Sequence, residues 1–149
     1  MATYFTFKKF LDLGYRDISI NLYVIKDPEQ KGLLNILKST GAYVDKYFDG
    51  SYNLTSQAYI MLNQVVRLMN KYPELSLEVA VHTDNQGAGG TNLSLSGRRA
   101  QVFVDYMIDR GISANRLISI GYGEYRPIAP NYLEKDRKLN RRVEFSRVK

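Results

Sequence analysis

The sequence predicts an α/β (α+β) two-layer sandwich, and three observations carry that prediction. Apolar residues recur at three- and four-residue steps over 58–69 and again over 99–110, each marking one buried helical face. Alternating runs at 75–81, 117–123 and 141–148 have the two-residue period of strands. Helices of this length between strands favour parallel neighbours with right-handed crossovers and helices on one face. The predicted order is βαβαββ in a mixed parallel and antiparallel sheet.

Along the chain, Ile18, Ile20, Leu22 and Val24 alternate with Ser19, Asn21 and Tyr23 until Asp27-Pro28 stops the run, while residues 29–41 favour no element. A boundary in 27–41 sets residues 1–40 apart as an N-terminal appendage, or the end of a preceding β-rich domain, from a main domain over 41–149. "AYVDKYFDG" (42–50) is a β-like stretch, after which Thr55 or Ser56 can cap a helix. That helix buries Ala58, Met61, Leu62, Val65, Leu68 and Met69 and stops at Tyr72-Pro73. In "LSLEVAVHT" (75–83), Leu75, Leu77, Val79 and Val81 share a face, which leaves His82 to Asp84 at a strand's C-terminal end. A second helix, capped by Ser94 or Ser96, aligns Arg99, Val102, Phe103, Tyr106, Met107 and Arg110, and Gly111 closes it. "LISIGYG", a polar proline-containing loop from Glu124 to about Lys138, and "RRVEFSRV" complete the order.

The net charge is +6, and 134–149 holds seven basic and three acidic residues, a local excess of four. Either an anionic partner or a solvated strand edge accounts for it. Without cysteine there are no disulfides, thiolate metal sites or cysteine nucleophiles. The opening "MATYFTFKKF" lacks a charged leader with a sustained apolar core, and no run of about 18 apolar residues occurs. A role outside the cytoplasm therefore requires that this chain be part of a longer precursor.

The stretch "HTDNQGAGGTNLSLSGRRA" (82–100) holds the chemically unusual residues. Arg99 is expected in the first turn of the second helix, on its apolar side, where the helix dipole disfavours a cation and an anion is called for. Asp84 lies where α/β folds place ligand contacts. The two either pair with each other and brace the loop, or stand apart and suit a zwitterion, Asp84 taking an ammonium and Arg99 a carboxylate. "GAGG" lacks the Gly-Lys-Ser/Thr ending of a phosphate loop, and His82 is the single histidine. Neither a metal site nor a nucleophile team follows from these residues, and no nucleic-acid signature accompanies the tyrosines.

Several spaced blocks, in order, resemble the OmpA-like C-terminal domain, the peptidoglycan-binding module shared with Pal lipoproteins and MotB stators. They are "YFDG" (47–50), "HTDNQG" (82–87), Asn92, "LSGRRA" (95–100), Gly111-Ile112, Arg116-Leu117, "GYGE" (121–124), Pro127 and "NRRVEF" (140–145). The resemblance spans about Tyr43 to Phe145. It implies a non-catalytic module without cofactor or metal that holds diaminopimelate, a zwitterion, in the stem peptide of peptidoglycan. By motif position, Asp84 and Arg99 would be the principal ligands, Asn92 and Thr83 would add hydrogen bonds, Arg142 would line the pocket and Asp49 would contribute weakly. It also implies a periplasmic place, tethering an outer-membrane protein or lipoprotein to the cell wall. Membrane contact would come only through further parts of a longer parent, and nucleic acid is not an expected partner. Val81 and Thr91 depart from the residues usual in the family at those positions, and Gly97 is expected to weaken the first helical turn. A different class of function keeps the fold without the ligand: an interaction domain that docks a protein or anionic polymer through the basic C-terminal strand. An enzyme acting on cell-wall peptides lacks its residues.

Overall fold

The computed structural model describes residues 44–148. The strand expected at 18–24, and with it the appendage over 1–40, lies outside the described residues.

A 3-10 turn (Val44–Lys46) leads into a two-stranded antiparallel hairpin, β1 (Phe48–Asp49) and β2 (Asn53–Leu54). Of the strand expected over 42–50, the described part is strand only at Phe48–Asp49: it opens on the 3-10 turn and reverses at Gly50, whose φ of 73° suits glycine. Thr55 caps α1 (Ser56–Lys71), its Oγ1 accepting from the Ala58 amide at 3.2 Å. All six apolar residues predicted for this helix are buried. Arg116 satisfies its other end, donating to the carbonyls of Met69 (2.7 Å), Tyr72 (2.9 Å) and Leu75 (2.9 Å).

The main sheet has the order β4-β3-β5, with β3 (Ser76–His82) in the centre, parallel to β4 (Leu117–Gly123) and antiparallel to β5 (Val143–Val148). Leu77, Val79 and Val81 join the core formed with α1 and α2 (Gly89–Asp109). Phe103 lies at its middle, its ring within 5.0 to 6.4 Å of those of Phe48, Tyr47 and Phe145. The mixed two-layer sandwich is the predicted one.

Two differences bear on the site. Helix α2 starts at Gly89, with Ala88 as an N-cap that makes no side-chain bond, so neither Ser94 nor Ser96 caps it. Ser96 instead crosses to the sheet: wholly buried, its Oγ donates to Leu93 O and accepts from the Gly123 amide at 2.9 Å. Beside it, a β-carbon on Gly121 would run into the Gly97 backbone, so helix and strand touch backbone to backbone. The segment expected as loop up to about Lys138 also contains a short helix, α3 (Glu134–Asn140). Its end receives the chain's first described residue, Val44 donating to Arg141 O at 2.9 Å.

Candidate ligand site at the end of the central strand

The loop after β3 is built on Asp84. Its Oδ1 accepts from the Gln86 amide at 2.9 Å, a local turn that aspartate favours, and Thr83 Oγ1 donates to Asp84 O at 2.9 Å. Thr83 is tied to the neighbouring strand, its amide donating to Gly123 O. Gly87, at φ 90°, lets the chain turn back to α2. Asn92 locks the loop from the helix: its Nδ2 reaches Asp84 O (3.3 Å), Gln86 O (3.0 Å) and Glu124 Oε2 (2.7 Å). Its amide protons are spent on building the loop.

The other Asp84 oxygen, Oδ2, is met by Arg141 Nη1 at 2.6 Å. That guanidinium also holds Asp45 through Nε at 2.8 Å and Glu134 through Nη2 at 2.6 Å. Burial opposes its charge, but the three carboxylates outweigh burial and raise its pKa further above the ordinary arginine value. In the same exchange Arg141 holds the exposed Glu134 carboxyl below its usual range.

Arg99 does not pair with Asp84. It lies ten residues beyond the start of α2, past the reach of the helix-terminal dipole that its expected first-turn position invoked. There it stacks over the Phe48 ring at 4.8 Å and donates to Ser51 O (2.8 Å) and Gly50 O (3.0 Å) in the hairpin turn. Partial burial lowers its pKa, and Asp45 is near enough to favour its charge. Asp45, paired to Arg141, thus favours the charge of both arginines. Asp49 is exposed on β1, in the hairpin that receives Arg99.

Arg142, expected to line the pocket, is turned from Asp84 and 3% exposed. Its guanidinium bonds Glu144 Oε1 (2.7 Å) and Arg126 O (3.1 Å). His82 stands beside this pair, Nε2 3.5 Å from Glu144 Oε2, stacked on Tyr122 at 5.2 Å with the Arg126 guanidinium 3.8 Å from the Tyr122 ring centre. Burial pushes the His82 pKa down; for Glu144 burial acts upward, but His82 and Arg142 outweigh it and keep the carboxyl low. Among the described residues no cluster of His, Cys, Asp and Glu could hold a metal ion.

A sequence model of the OmpA family matches residues 47–141, from the hairpin through Asp84 and Arg99 to Arg141. The chain belongs to the OmpA family. Among its relatives, the peptidoglycan-binding protein ArfA of Mycobacterium tuberculosis is 35% identical over 97 residues, 65% of this chain and 29% of ArfA. Outer membrane porin F of Pseudomonas aeruginosa is 37% identical over 98 residues, 65% of this chain and 28% of the porin. The peptidoglycan-associated lipoprotein of Rhizobium meliloti is 33% identical over 84 residues, 56% of this chain and 48% of the lipoprotein. The match thus spans under a third of the first two relatives and about half of the third. Of solved structures, a MotB-like protein from Desulfovibrio vulgaris superposes with a TM-score of 0.62 at 27% identity, over 68% of this chain and 66% of that one. The peptidoglycan-associated lipoprotein from Burkholderia pseudomallei shares the fold, with a TM-score of 0.62 at 24% identity over 68% and 87% of the two chains. These relatives are named for peptidoglycan binding or association and for pores.

Arg141 is the residue that sequence reasoning missed. The two arginines of "NRRVEF" enter a strand, where successive side chains point to opposite faces, and a one-residue slip exchanges which of them meets Asp84. No sequence signal separates the two: only the fold shows that Asp45, Asp84 and Glu134 converge on Arg141.

Proposed function

We propose that this OmpA-family domain binds the stem peptide of peptidoglycan. Asp84 takes the ammonium and Arg99 the carboxylate of a zwitterionic diaminopimelate side chain, and Thr83 and the Asn92-braced loop frame the recess that this reading sets between the two charges. The observation that carries this reading is the separation of the two charges, Asp84 held by Arg141 and Arg99 by the hairpin carbonyls. Opposite charges fixed apart on a rigid scaffold suit a ligand that carries both. Arg141 is the stand-in that neutralises Asp84 until an ammonium arrives, and it stays beside the ligand through Asp45 and Glu134. Asp49, on the hairpin, is a peripheral contact. Relatives named for peptidoglycan binding and association support the ligand class. A tethering role in the envelope, on the periplasmic side of an outer membrane, extends the same reading to a longer parent protein.

Calorimetric titration with a diaminopimelate-containing stem peptide tests it. Asp84→Ala and Arg99→Ala should each abolish most of the binding, and amidating the diaminopimelate carboxylate should cost about 1.5 to 3 kcal/mol, the worth of a hydrogen bond to a charged group. Unchanged affinity in both variants rejects the recess.

The complete pairing of Asp84 with Arg141 favours one second reading, an interaction domain without this ligand that docks a protein or anionic polymer through its basic C-terminal strand. Cell-wall capture that ignores Asp84→Ala but disappears at raised salt selects it.

A further inference from the structure

The segment between β4 and α3 displays apolar side chains that nothing among the described residues covers. Tyr125 is 64% exposed, Tyr132 88% and Leu133 53%. Its backbone is nevertheless pinned. Wholly buried Asn140 accepts through Oδ1 from the amides of Ile128 (2.8 Å) and Ala129 (3.0 Å), and donates to Ala129 O and Asn131 Oδ1, both at 2.9 Å. Arg137 adds bonds to the carbonyls of Asn131 (3.2 Å) and Tyr132 (3.3 Å). Exposed rings on a fixed backbone lose little freedom on contact with a ligand.

Both ends of the segment attach to the candidate recess. Glu124, adjacent to Tyr125, accepts from Asn92, which also bonds Asp84 O. Glu134, adjacent to Leu133, is held by Arg141, which bonds Asp84 Oδ2. The Tyr125 hydroxyl fills the space that a β-carbon on Gly89 would need, which sets its ring at the start of α2 beside the loop.

We propose that Tyr125 and Tyr132 form a sugar-stacking rim that holds the glycan strand of peptidoglycan while the recess holds its peptide. The proposal rests on the peptidoglycan reading above. Every stem peptide is covalently joined to an N-acetylated sugar, so a stem seated at Asp84 brings glycan within a few residues' reach of the recess. A pyranose offers an apolar C–H face to an aromatic ring and hydroxyls to its surroundings, and tyrosine matches both with an apolar body and a polar tip. Leu133 suits the acetyl methyl. A flat protein partner fits less well, because the exposed charged residues Arg126 and Glu134 directly flank Tyr125 and Leu133 in the chain.

Titration of the full chain with three probes tests this: a disaccharide-tripeptide, the same tripeptide without sugar, and peptide-free glycan. The wild type should bind the disaccharide-tripeptide about fivefold more tightly than the bare peptide, the worth of one aromatic contact, and the Tyr125→Ala/Tyr132→Ala double variant should lose that margin alone. If bare peptide binds and sugar adds nothing, or if the double variant weakens both peptides equally, the rim is overturned while the recess stands. If only sugar-bearing probes bind, and do so through the tyrosines, the rim stands and the peptide recess falls. No binding to any probe overturns both.

Discussion

Arg141 Nη1 stands 2.6 Å from Asp84 Oδ2, and the same guanidinium spans Asp45 and Glu134. Three carboxylates thus meet on one cation, although Glu134 is also held by Arg137 at 3.0 Å. Replacing it by Arg141→Gln leaves Asp84, 9% exposed, without its counter-charge. The expected loss of stability is about 2 kcal/mol, read from the urea midpoint. A double-mutant cycle with Asp84→Asn should recover part of it; strict additivity of the two losses would show that the pair is not coupled.

Gly97 and Gly121 face each other across the helix–strand contact but are not equivalent. A β-carbon on Gly121 meets the α2 backbone, whereas one on Gly97 meets nothing. Gly121→Ala should destabilise by about 3 kcal/mol or more, the cost of forcing two elements apart. Gly97→Ala should stabilise by about 0.5 to 1 kcal/mol through helix propensity. Thermal melts rank the two, and a destabilised Gly97→Ala would contradict the open space.

His82 is buried among Tyr122, Glu144, Arg142 and Arg126, and burial lowers its pKa. Above the unfolded value of about 6.5 both states are neutral; below it the unfolded chain takes the proton first, so stability falls with acidification. Glu144 acts in the same direction at lower pH, below about 4.3. Melting temperature should therefore drop between pH 7 and 5.5, and His82→Gln should flatten that slope. An unaltered slope would assign it to another group.

Arg116 ties the end of α1 to the turn that follows, donating to Met69 O in its last turn, to Tyr72 O at its cap and to Leu75 O beyond it. Arg116→Ala should cost about 1 to 3 kcal/mol and speed amide exchange in the last turn of α1. Exchange that rises uniformly over the domain instead would point to a global rather than a capping role.

Periodicity made α1, β3, β4 and β5 legible, since each has a buried face that imposes its period on the sequence. The hairpin was not legible: two-residue strands carry no period, and Phe48–Asp49 looked like part of one longer run. Helix α3 has seven mostly charged residues and no cap side chain to announce it. The start of α2 was misplaced because Ser94 and Ser96 resemble caps, while the true cap, Ala88, has no side chain suited to the task. With the start at Gly89, Arg99 lies ten residues into the helix, and the dipole argument for an anion beside it does not hold. Motif spacing singled out Asp84 and Arg99, but the pairing through Arg141 and Asp45 joins residues far apart in sequence and needed the fold.

Val44 and Asp45, the first described residues, bond the backbone and the side chain of Arg141. That end of the described chain is therefore fastened to the arginine that faces Asp84 rather than to the distant end of the sheet. Fraying of Val44 and Asp45 would withdraw two of that arginine's anchors, so order at this end and the charge balance of Asp84 are coupled.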